Sequence, residues 1–366
     1  MDDAATSLDG GIDIHSLRSR RLGTYTHTYT QRDAMLYALG LGCTAAADLR
    51  YLYEGSEDFA VLPTYAIVAA HPSLALVPLE SYLPGGLDRA SALHGEQYLE
   101  LLGPPLPPGG GRLVTRPQLV DMQAKGSGLV VVLRTVTSDD ESGRDVAINE
   151  FTTFILGKGG IRTPWPPAPR SPAAVAPNDP PPRAPDAVAT FATSPDQAAL
   201  YRLSGDYNPL HIDPRVSSRV GFPQPILHGL CSLGVSVRLI LSRYGGGDPA
   251  AAARLRSVKV RFSKHVLPGE TLRVDMWAEQ PQQQQQQQQQ PDAGACARGA
   301  AAASGAAAAS GATAASGGAV KVIFRTWVVE RGVLVIANAA VELLPPPPAA
   351  VAANTGATMP VPTSRL

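Results

Sequence analysis

A repeat between the two halves of the chain constrains the fold more than any other feature of the sequence. Leu-Tyr-Ala-Leu at residues 36–39 recurs as Leu-Tyr-Arg-Leu at 200–203, and Leu-Val-Asp-Met at 119–122 recurs as Arg-Val-Asp-Met at 273–276. The offsets of 164 and 154 residues keep the two pairs in the same order and at nearly the same spacing. This arrangement predicts two copies of one supersecondary unit.

Each copy has the pattern of a helix followed by antiparallel strands. In the first half, Thr30 can cap a helix in which Met35, Leu36 and Leu39 are predicted to share an apolar face. From Leu113 onwards, three strand-like segments are separated by turn residues at 126–128 and 138–143, which is typical of a meander. The predicted fold class is therefore α+β, with an antiparallel sheet in each half.

Low-complexity segments indicate the domain boundaries. The proline-rich segment 163–187 predicts an extended linker, because proline cannot donate to a sheet. The glutamine run and the Ala/Gly/Ser-rich segment after it predict an insertion at a hairpin tip, where each doubling of loop length costs only about 0.6 kcal/mol. The predicted organisation is a flexible N-terminus (1–20), a first repeat (21–162), the linker (163–187), a second repeat (188–344) with a low-complexity insertion (280–318), and a disordered tail (345–366).

Charge and composition narrow the function classes. The 31 basic and 31 acidic residues cancel, so no overall field recruits nucleic acid, and no apolar run approaches the roughly 18 residues of a membrane span. The three cysteines form no Cys-x-x-Cys motif, which favours a reducing compartment. The final residues Ser364-Arg365-Leu366 resemble a Ser-Lys-Leu peroxisomal address. We therefore expect a peroxisomal protein that binds an import receptor, with the cytoplasm as the alternative.

The stretch from Tyr201 to Cys231 concentrates the side chains that can handle protons. Asp206 and His211 lie five residues apart across Asn208-Pro209, which breaks helical spacing and lets both side chains turn toward one point. A carboxylate and an imidazole that converge on a water molecule can act as general acid and base, and Asn208 can hold either group in position. This pair is the predicted catalytic centre.

His228 and Gly229 stand at the predicted start of an apolar helix. The N–H groups at a helix start carry partial positive charge, and a glycine lets a ligand oxygen approach closely, so Gly229 can donate to an oxyanion. His228 can contact the ligand or simply shape the loop. Asp213 is predicted to be a cap or turn residue ahead of Pro214, and Cys231 a buried thiol.

The motif Ser-Gly-Asp-Tyr-Asn-Pro-Leu-His, with His-Gly downstream, resembles the signature of the MaoC-like, (R)-specific or type 2 enoyl-CoA hydratases. The resemblance extends to Tyr-Glu-Gly-Ser-Glu-Asp-Phe at 53–59, Leu-His-Gly-Glu-Gln at 93–97 and Arg-Phe-Ser-Lys-His-Val-Leu-Pro-Gly-Glu at 261–270. It covers residues from about 25 to 344 apart from the linker and the insertion. In the first half, no Asp-x-Asn-Pro-x-His follows Gly42.

The resemblance implies a double hot-dog fold that adds water to a trans-2-enoyl-CoA to give the (3R)-hydroxyacyl-CoA, without metal or organic cofactor. Asp206 and His211 would act on the water, Asn208 would support them, and Gly229 would donate to the thioester carbonyl. The first half would make room for the acyl chain instead of carrying chemistry. The family also suggests a homodimer.

Four further residues are candidates for substrate binding, namely His228, Arg256, Lys259 and Lys264. The basic residues alternate along a strand-like segment, where they can meet the phosphates of CoA or face solvent. His94-Gly95-Glu96 matches the family, and from the residues alone it is predicted to be a structural cap.

Three other functions stay open. One is a metal-dependent hydrolase, because residue types that bind metals occur at Asp206, His211, Asp213 and His228. No His-Glu-x-x-His motif or cysteine cluster accompanies them. A hot-dog thioesterase would release free CoA thiol, whereas a hydratase would only consume the enoyl group. A non-catalytic acyl-CoA-binding protein would lack the Asp206–His211 pair.

Overall fold

The computed structural model describes residues 14–83, 85–87, 91–245, 249–279 and 319–345. The predictions for residues 1–13, the insertion with Cys296, and the tail from residue 346 with its last three residues lie outside this part. The strands are β1 (Tyr25–Tyr29), β2 (Ala92–Leu101), β3 (Gly111–Lys125), β4 (Gly128–Asp139), β5 (Asp145–Leu156), β6 (Ala187–Ala192), β7 (Leu255–Phe262), β8 (Thr271–Glu279), β9 (Val320–Val328) and β10 (Val333–Leu343). The α-helices are α1 (Ile14–Ser19), α2 (Gln31–Gly40), α3 (Tyr65–Ala70), α4 (Leu79–Tyr82), α5 (Pro172–Val175), α6 (Gln197–Tyr201), α7 (Pro214–Arg219) and α8 (Gly229–Tyr244).

The strands form one antiparallel sheet in the order β1-β3-β4-β5-β2-β7-β10-β9-β8-β6. Outwards from the central β2–β7 pair, both sides run through equivalent strands in the same order, so the sheet consists of two copies of one five-stranded unit. The repeated segments occupy equivalent elements: residues 36–39 lie in α2 after β1 and residues 200–203 follow β6, while residues 119–122 lie in β3 and 273–276 in β8. The predicted repeat and the antiparallel α+β fold class are confirmed.

Each unit packs its sheet against a helix, but the two helices differ in length. In the second unit, α8 has 16 residues and buries most of them against β6, β7 and β8. In the first unit, α3 has six residues and passes into a 3₁₀ segment, His71–Leu76. Pro72 lacks a backbone N–H and cannot continue an α-helical hydrogen-bond ladder, which explains the change. The central helix predicted after Gly229 is confirmed.

Helix α2 has the predicted start but buries a different face. Thr30 and Asp33 form a capping box. The helix buries Ala34, Tyr37 and Ala38, whereas Leu39 is 44% exposed, so the predicted apolar face was wrong. The reason is tertiary: α2 packs closely on α6, and a Cβ on Gly40 would lie 3.4 Å from the Cα of Tyr201.

The proline-rich segment 163–187 crosses the sheet and is bound to it by side chains. The Trp165 Nε1–H donates to the Met122 carbonyl over 2.7 Å, and Arg170 Nε donates to the buried Glu150 carboxylate over 2.8 Å. Four of its residues form the short helix α5. The segment is therefore anchored to the protein at several points, and its Ala174 and Asn178 are buried.

Helix α1 lies within the segment predicted to be flexible. Its Ile14 and Leu17 are buried in a cluster with residues of β3 and β4, and Arg18 donates to the Asp121 carboxylate over 2.5 Å. Two buried apolar side chains and one ion pair therefore order residues 14–19. Among the described residues, no helix is long and apolar enough to cross a bilayer.

Candidate active site

The turn after α6 brings Asp206 and His211 together through local hydrogen bonds. Gly205 adopts a φ of 135°, a conformation that side chains disfavour, and redirects the chain after the helix. The Asn208 N–H donates to Asp206 Oδ1 over 3.2 Å, and Asn208 Oδ1 accepts from the Leu210 N–H over 3.0 Å. Asn208 thus links the carboxylate to the 3₁₀ turn that carries His211, and its supporting role in catalysis stays a prediction.

The hydrogen bond of His211 fixes its tautomer. Its Nδ1 lies 2.8 Å from the Ile226 carbonyl oxygen, and a carbonyl can only accept, so Nδ1 carries the proton in the neutral ring. Burial lowers the pKa of His211, while the charge of Asp206 partly opposes that shift. The Nε2 atom therefore has a free lone pair near neutral pH, as a general base requires.

His228 contacts both Asp206 and His211. Its Nε2 donates to the backbone carbonyl of Asp206 over 3.1 Å, and its ring stacks on that of His211 with centroids 3.6 Å apart. It is 1% exposed, and burial lowers its pKa to about 3, so the ring is neutral. These contacts make His228 part of the framework of the site, and its predicted contact with the ligand stays a prediction.

Asp206 sits among imidazoles from both halves of the chain. Burial opposes ionisation of its carboxyl group, but the His71, His228 and His211 side chains and the Asn208 N–H outweigh it and lower the pKa of Asp206. The carboxylate is therefore ionised at neutral pH and acts as a hydrogen-bond acceptor.

Asp206, His211 and His228 were also the predicted ligand types for a metal, and one ligand atom from each lies within 4.8 Å of the others. A metal ion binds imidazole near the plane of the ring. The rings of His211 and His228 stack with centroids 3.6 Å apart and 26° between their planes. The structure therefore brings three of the four predicted ligand types together, and the absence of a metal from the reaction stays a prediction.

Gly229 is the first residue of α8, with His228 at the N-cap. The first N–H groups of an α-helix have no partner within the helix and carry partial positive charge. A Cβ at Gly229 would lie 3.2 Å from the Phe262 ring, so the position suits glycine. Gly229 thus lies at the N-terminus of α8, and its role as an oxyanion donor stays a prediction.

The first half contributes two histidines that the sequence did not reveal as site residues. His94 lies within β2 and is not a cap, so that prediction was wrong; its ring lies 5.1 Å from the Phe262 ring, and burial lowers its pKa to about 4. The register shifts between His94 and Glu96. This β-bulge interrupts the alternation that identifies a strand. His71 follows α3, and no motif singles it out.

The predicted CoA-binding residues have different environments. Arg256 donates to the Glu100 carboxylate over 2.7 Å. Lys259 is 5% exposed and its Nζ donates to the Ala176 carbonyl over 3.0 Å, so it holds the linker and does not face a substrate phosphate. Lys264 is exposed just after β7. We retain Lys264 as the candidate phosphate contact.

Two further assignments agree with the sequence. Asp213 caps α7, with Oδ1 accepting from the Arg215 N–H over 2.9 Å. Cys231 is fully buried in α8, and burial raises the pKa of its thiol, so it is a packing residue and not a nucleophile.

Two repeats that share one sheet, with an Asp–His pair facing the start of one central helix, define a double hot-dog protein of the hydratase and dehydratase class. Residues 27–157 match the MFE-2 hydratase 2 N-terminal domain and residues 177–295 match the MaoC like domain. The MaoC-like dehydratase of Phytophthora capsici superimposes with a TM-score of 0.68 at 33% identity over 92% of this chain and 100% of that one. A Mycobacterium tuberculosis protein described as a double hot-dog fold, 15% identical with a TM-score of 0.52, covers 92% of this chain and 99% of its own and supports the fold alone.

The chain belongs to the MaoC-like enoyl-CoA hydratase 2 family. It is 39% identical to the "Probable enoyl-CoA hydratase 2" of Dictyostelium discoideum over 74% of this chain and 88% of that protein. It is 45% identical to the "Peroxisomal multifunctional enzyme type 2" of Drosophila melanogaster over 69% of this chain. It spans only 41% of that protein and 34% of its mouse counterpart.

Proposed function

We propose that this protein is an (R)-specific enoyl-CoA hydratase, a hydro-lyase that adds water to a trans-2-enoyl-CoA to give the (3R)-3-hydroxyacyl-CoA. The observation that carries the proposal is the convergence of two acceptors, the Asp206 carboxylate and the unprotonated Nε2 of His211. The family and the hydratase names of relatives supply the substrate class.

Two acceptors on one side of a site suit a water molecule, which has two O–H donors. One O–H donates to the Asp206 carboxylate and the other to His211 Nε2, so the water directs a lone pair at C3 of the enoyl group. As the new C–O bond forms, His211 accepts a proton and Asp206 stabilises the imidazolium. Asn208 and His228 hold Asp206 and His211 in position by the hydrogen bonds and the ring stacking already described.

The electrons of the broken C2=C3 π bond move to the thioester oxygen. The Gly229 N–H, at the positive end of α8, donates to this developing enolate oxygen, an interaction typically worth about 10² to 10³ in rate. The proton taken from water is then returned to C2, which restores the thioester carbonyl. Water thus supplies both the hydroxyl group and the new hydrogen, and no organic cofactor or metal takes part.

The direct test is to incubate the purified protein with short, medium and long trans-2-enoyl-CoA esters. Loss of the conjugated enoyl absorbance, with chiral analysis that finds the (3R) product, is the expected result. Release of free CoA thiol would instead indicate a thioesterase, binding without turnover would indicate an acyl-CoA-binding protein, and activity that tracks stoichiometric zinc would indicate a metal hydrolase. Each of these outcomes contradicts the proposal.

We propose further that the protein acts in peroxisomal fatty acid β-oxidation as a homodimer. Support for the compartment comes from relatives named as peroxisomal enzymes. Removal of Ser364 to Leu366 is expected to leave a fluorescently tagged protein in the cytoplasm, because an import receptor would read that tripeptide. Unchanged peroxisomal import of the shortened chain would exclude the tripeptide as the signal. Light scattering tests the dimer.

A further inference from the structure

In both repeats, the residue that precedes the central helix faces a tyrosine from the repeated Leu-Tyr-x-Leu segment. Thr64 stands before α3 and His228 before α8, and the tyrosines are Tyr37 and Tyr201. The offset of 164 residues relates both members of one pair to those of the other, and all four side chains are 1% exposed. The two pairs therefore occupy equivalent positions of the repeat.

The pair in the first repeat is joined by a hydrogen bond. The Tyr37 hydroxyl donates to Thr64 Oγ1 over 2.9 Å. In the second repeat, the rings of Tyr201 and His228 are in contact, with centroids 5.0 Å apart and 54° between their planes. Tyr201 thus lies directly beside the imidazole that donates to the backbone of Asp206.

The pair in the second repeat consists of one donor and one acceptor that lack partners. His228 is neutral and donates from Nε2 to the Asp206 carbonyl, so its Nδ1 carries a lone pair. Within the described part of the chain, neither this Nδ1 nor the Tyr201 hydroxyl has a hydrogen-bond partner, although both atoms are buried. Burial raises the pKa of Tyr201 well above its usual value, so the hydroxyl keeps its proton. Pairing the two atoms removes the desolvation penalty of each.

Two other groups compete for this bond. The Tyr37 hydroxyl also interacts with that of Tyr201, but a phenol oxygen is a weaker acceptor than an imidazole nitrogen. Ser232, one turn after His228 in α8, has a buried hydroxyl without a partner among the described residues, and it can also donate. Tyr201 is favoured because its ring contacts His228 and because the equivalent tyrosine makes the equivalent bond in the first repeat.

We propose that Tyr201 is a positioning residue whose hydroxyl donates to His228 Nδ1. This bond fixes the tautomer of His228 from one side, as the Asp206 carbonyl does from the other, so Nε2 remains the donor that holds the Asp206 backbone. In the opposite tautomer, Nε2 would direct a lone pair at that carbonyl oxygen and be repelled. The kinetic meaning of this role rests on the proposed hydratase function.

The kinetic test is Tyr201→Phe, which removes only the hydroxyl group. We expect kcat for enoyl-CoA hydration to fall about threefold to tenfold, the factor that one such hydrogen bond supplies. KM is expected to stay near the wild-type value, because the buried hydroxyl acts through His228 and not on the substrate.

The matched control is Tyr37→Phe, the same change at the equivalent position of the first repeat. It removes the observed hydrogen bond to Thr64 and leaves His228 unaltered, so kcat is expected to remain close to wild type. Urea unfolding compares the stability of the two variants. Equal losses of kcat in both would mean that the hydroxyl of Tyr201 has a structural role alone and would overturn the inference.

A spectroscopic readout is independent of turnover. Long-range ¹H–¹⁵N spectra of the full-length protein labelled with ¹⁵N-histidine report the tautomer of each ring, and His228→Gln assigns the His228 signals. In wild type we expect a proton on Nε2 alone and an Nδ1 shift displaced by hydrogen bonding. In Tyr201→Phe the Nδ1 signal is expected to move toward that of a free imidazole nitrogen, whereas Tyr37→Phe should leave it in place.

An Nδ1 signal that is identical in wild type and Tyr201→Phe would overturn the inference, as would a proton on Nδ1 in wild type. A signal that moves in Ser232→Ala and not in Tyr201→Phe would assign the bond to Ser232 instead. If Tyr201→Phe does not fold, a hydrogen-bonded Nδ1 shift that Ser232→Ala leaves unmoved supports the bond from Tyr201. If the wild-type protein hydrates no enoyl-CoA, the proposed function fails while the ¹⁵N spectra still decide the role of Tyr201.

Discussion

The two repeats use one scaffold for different purposes. In each, a tyrosine from the repeated Leu-Tyr-x-Leu segment contacts the residue that precedes the central helix. Tyr37 donates to the Thr64 hydroxyl over 2.9 Å in the first repeat, and Tyr201 lies 5.0 Å from the His228 ring in the second. At the offset of 164 residues, the counterpart of Asp206 is Gly42.

This difference shows how, after a duplication, one repeat can carry the proposed catalytic residues while the other supplies supporting structure. A Cβ at Gly42 would lie only 2.1 Å from the Phe191 ring, so the first repeat has no room for a carboxylate where the second has Asp206. The first repeat instead supplies a shortened helix and the imidazoles of His71 and His94. The site therefore lies between the repeats and is not confined to the second.

The largest expected effect lies in the second repeat. Asp206→Asn keeps the shape of the side chain but removes the acceptor charge, and we expect kcat for enoyl-CoA hydration to fall at least about a hundredfold with the fold intact. His211→Ala is expected to act in the same way because it removes the base. Circular dichroism measures whether the fold is intact, and the enoyl absorbance assay measures kcat.

The matched control is Asp213→Asn, seven residues away in the cap of α7, where asparagine is an equally good capping residue. Its activity is expected to remain close to wild type. Activity near wild type in Asp206→Asn or His211→Ala would refute the assignment of the pair.

Sequence could predict those parts of the site that depend on neighbouring residues. The turn from Gly205 to His211 is built from its own hydrogen bonds, and the capping of α7 by Asp213 is equally local. The repeat fixed the fold class because two segments recur in order, and α8 followed from its apolar length. These features need little knowledge of distant contacts.

Features set by distant contacts were not predictable. His94 reaches the site only because β2 pairs with β7 across the junction of the repeats, and the adjacent bulge hides its strand. Lys259 is buried because the linker folds back onto it. The buried face of α2 depends on the close approach of α6, which favours Ala34 and Ala38 over the larger Leu39.

Acid stability is the property in which His94, in β2 of the first repeat, should matter most. Burial lowers the pKa of His94 to about 4, so the unfolded chain binds a proton there at pH 5 that the folded chain does not. This stabilising contribution is present above the unfolded pKa of about 6.5 and is lost as the pH falls toward 4, by about 2 kcal/mol between pH 7 and pH 5.

Urea unfolding at the two pH values measures that loss. His94→Gln is expected to reduce the difference in unfolding free energy between pH 7 and pH 5, whereas His15→Gln on the surface should leave it unchanged. An unaltered pH dependence in His94→Gln would show that this ring is not held neutral by burial.

A smaller effect on stability alone is expected where the linker crosses the first repeat. Glu150 is 1% exposed and binds both Arg134 and Arg170. Arg170→Ala leaves one partner in place, so we expect a loss of about 1 to 2 kcal/mol in unfolding free energy with kcat near wild type. Arg116→Ala, at an exposed ion pair with Asp145, is the control and should cost less than about 1 kcal/mol. Equal losses in the two variants would mean that the linker is not anchored by its buried ion pair.

The smallest expected effect is on KM and concerns Lys264, just after β7 in the second repeat. Lys264 is exposed, so its charge is screened, and Lys264→Gln is expected to raise KM for an enoyl-CoA about twofold to fivefold at low salt with kcat unchanged. Added salt should remove the difference, because the Debye length falls from about 30 Å at 0.01 M to about 10 Å at 0.1 M. Arg256→Gln is the comparison: its guanidinium is already paired with Glu100, so its KM should change less. A larger change in KM for Arg256→Gln than for Lys264→Gln would contradict this assignment. It would indicate that Arg256, at the start of β7, contacts the phosphate and that the CoA lies along the junction between the repeats.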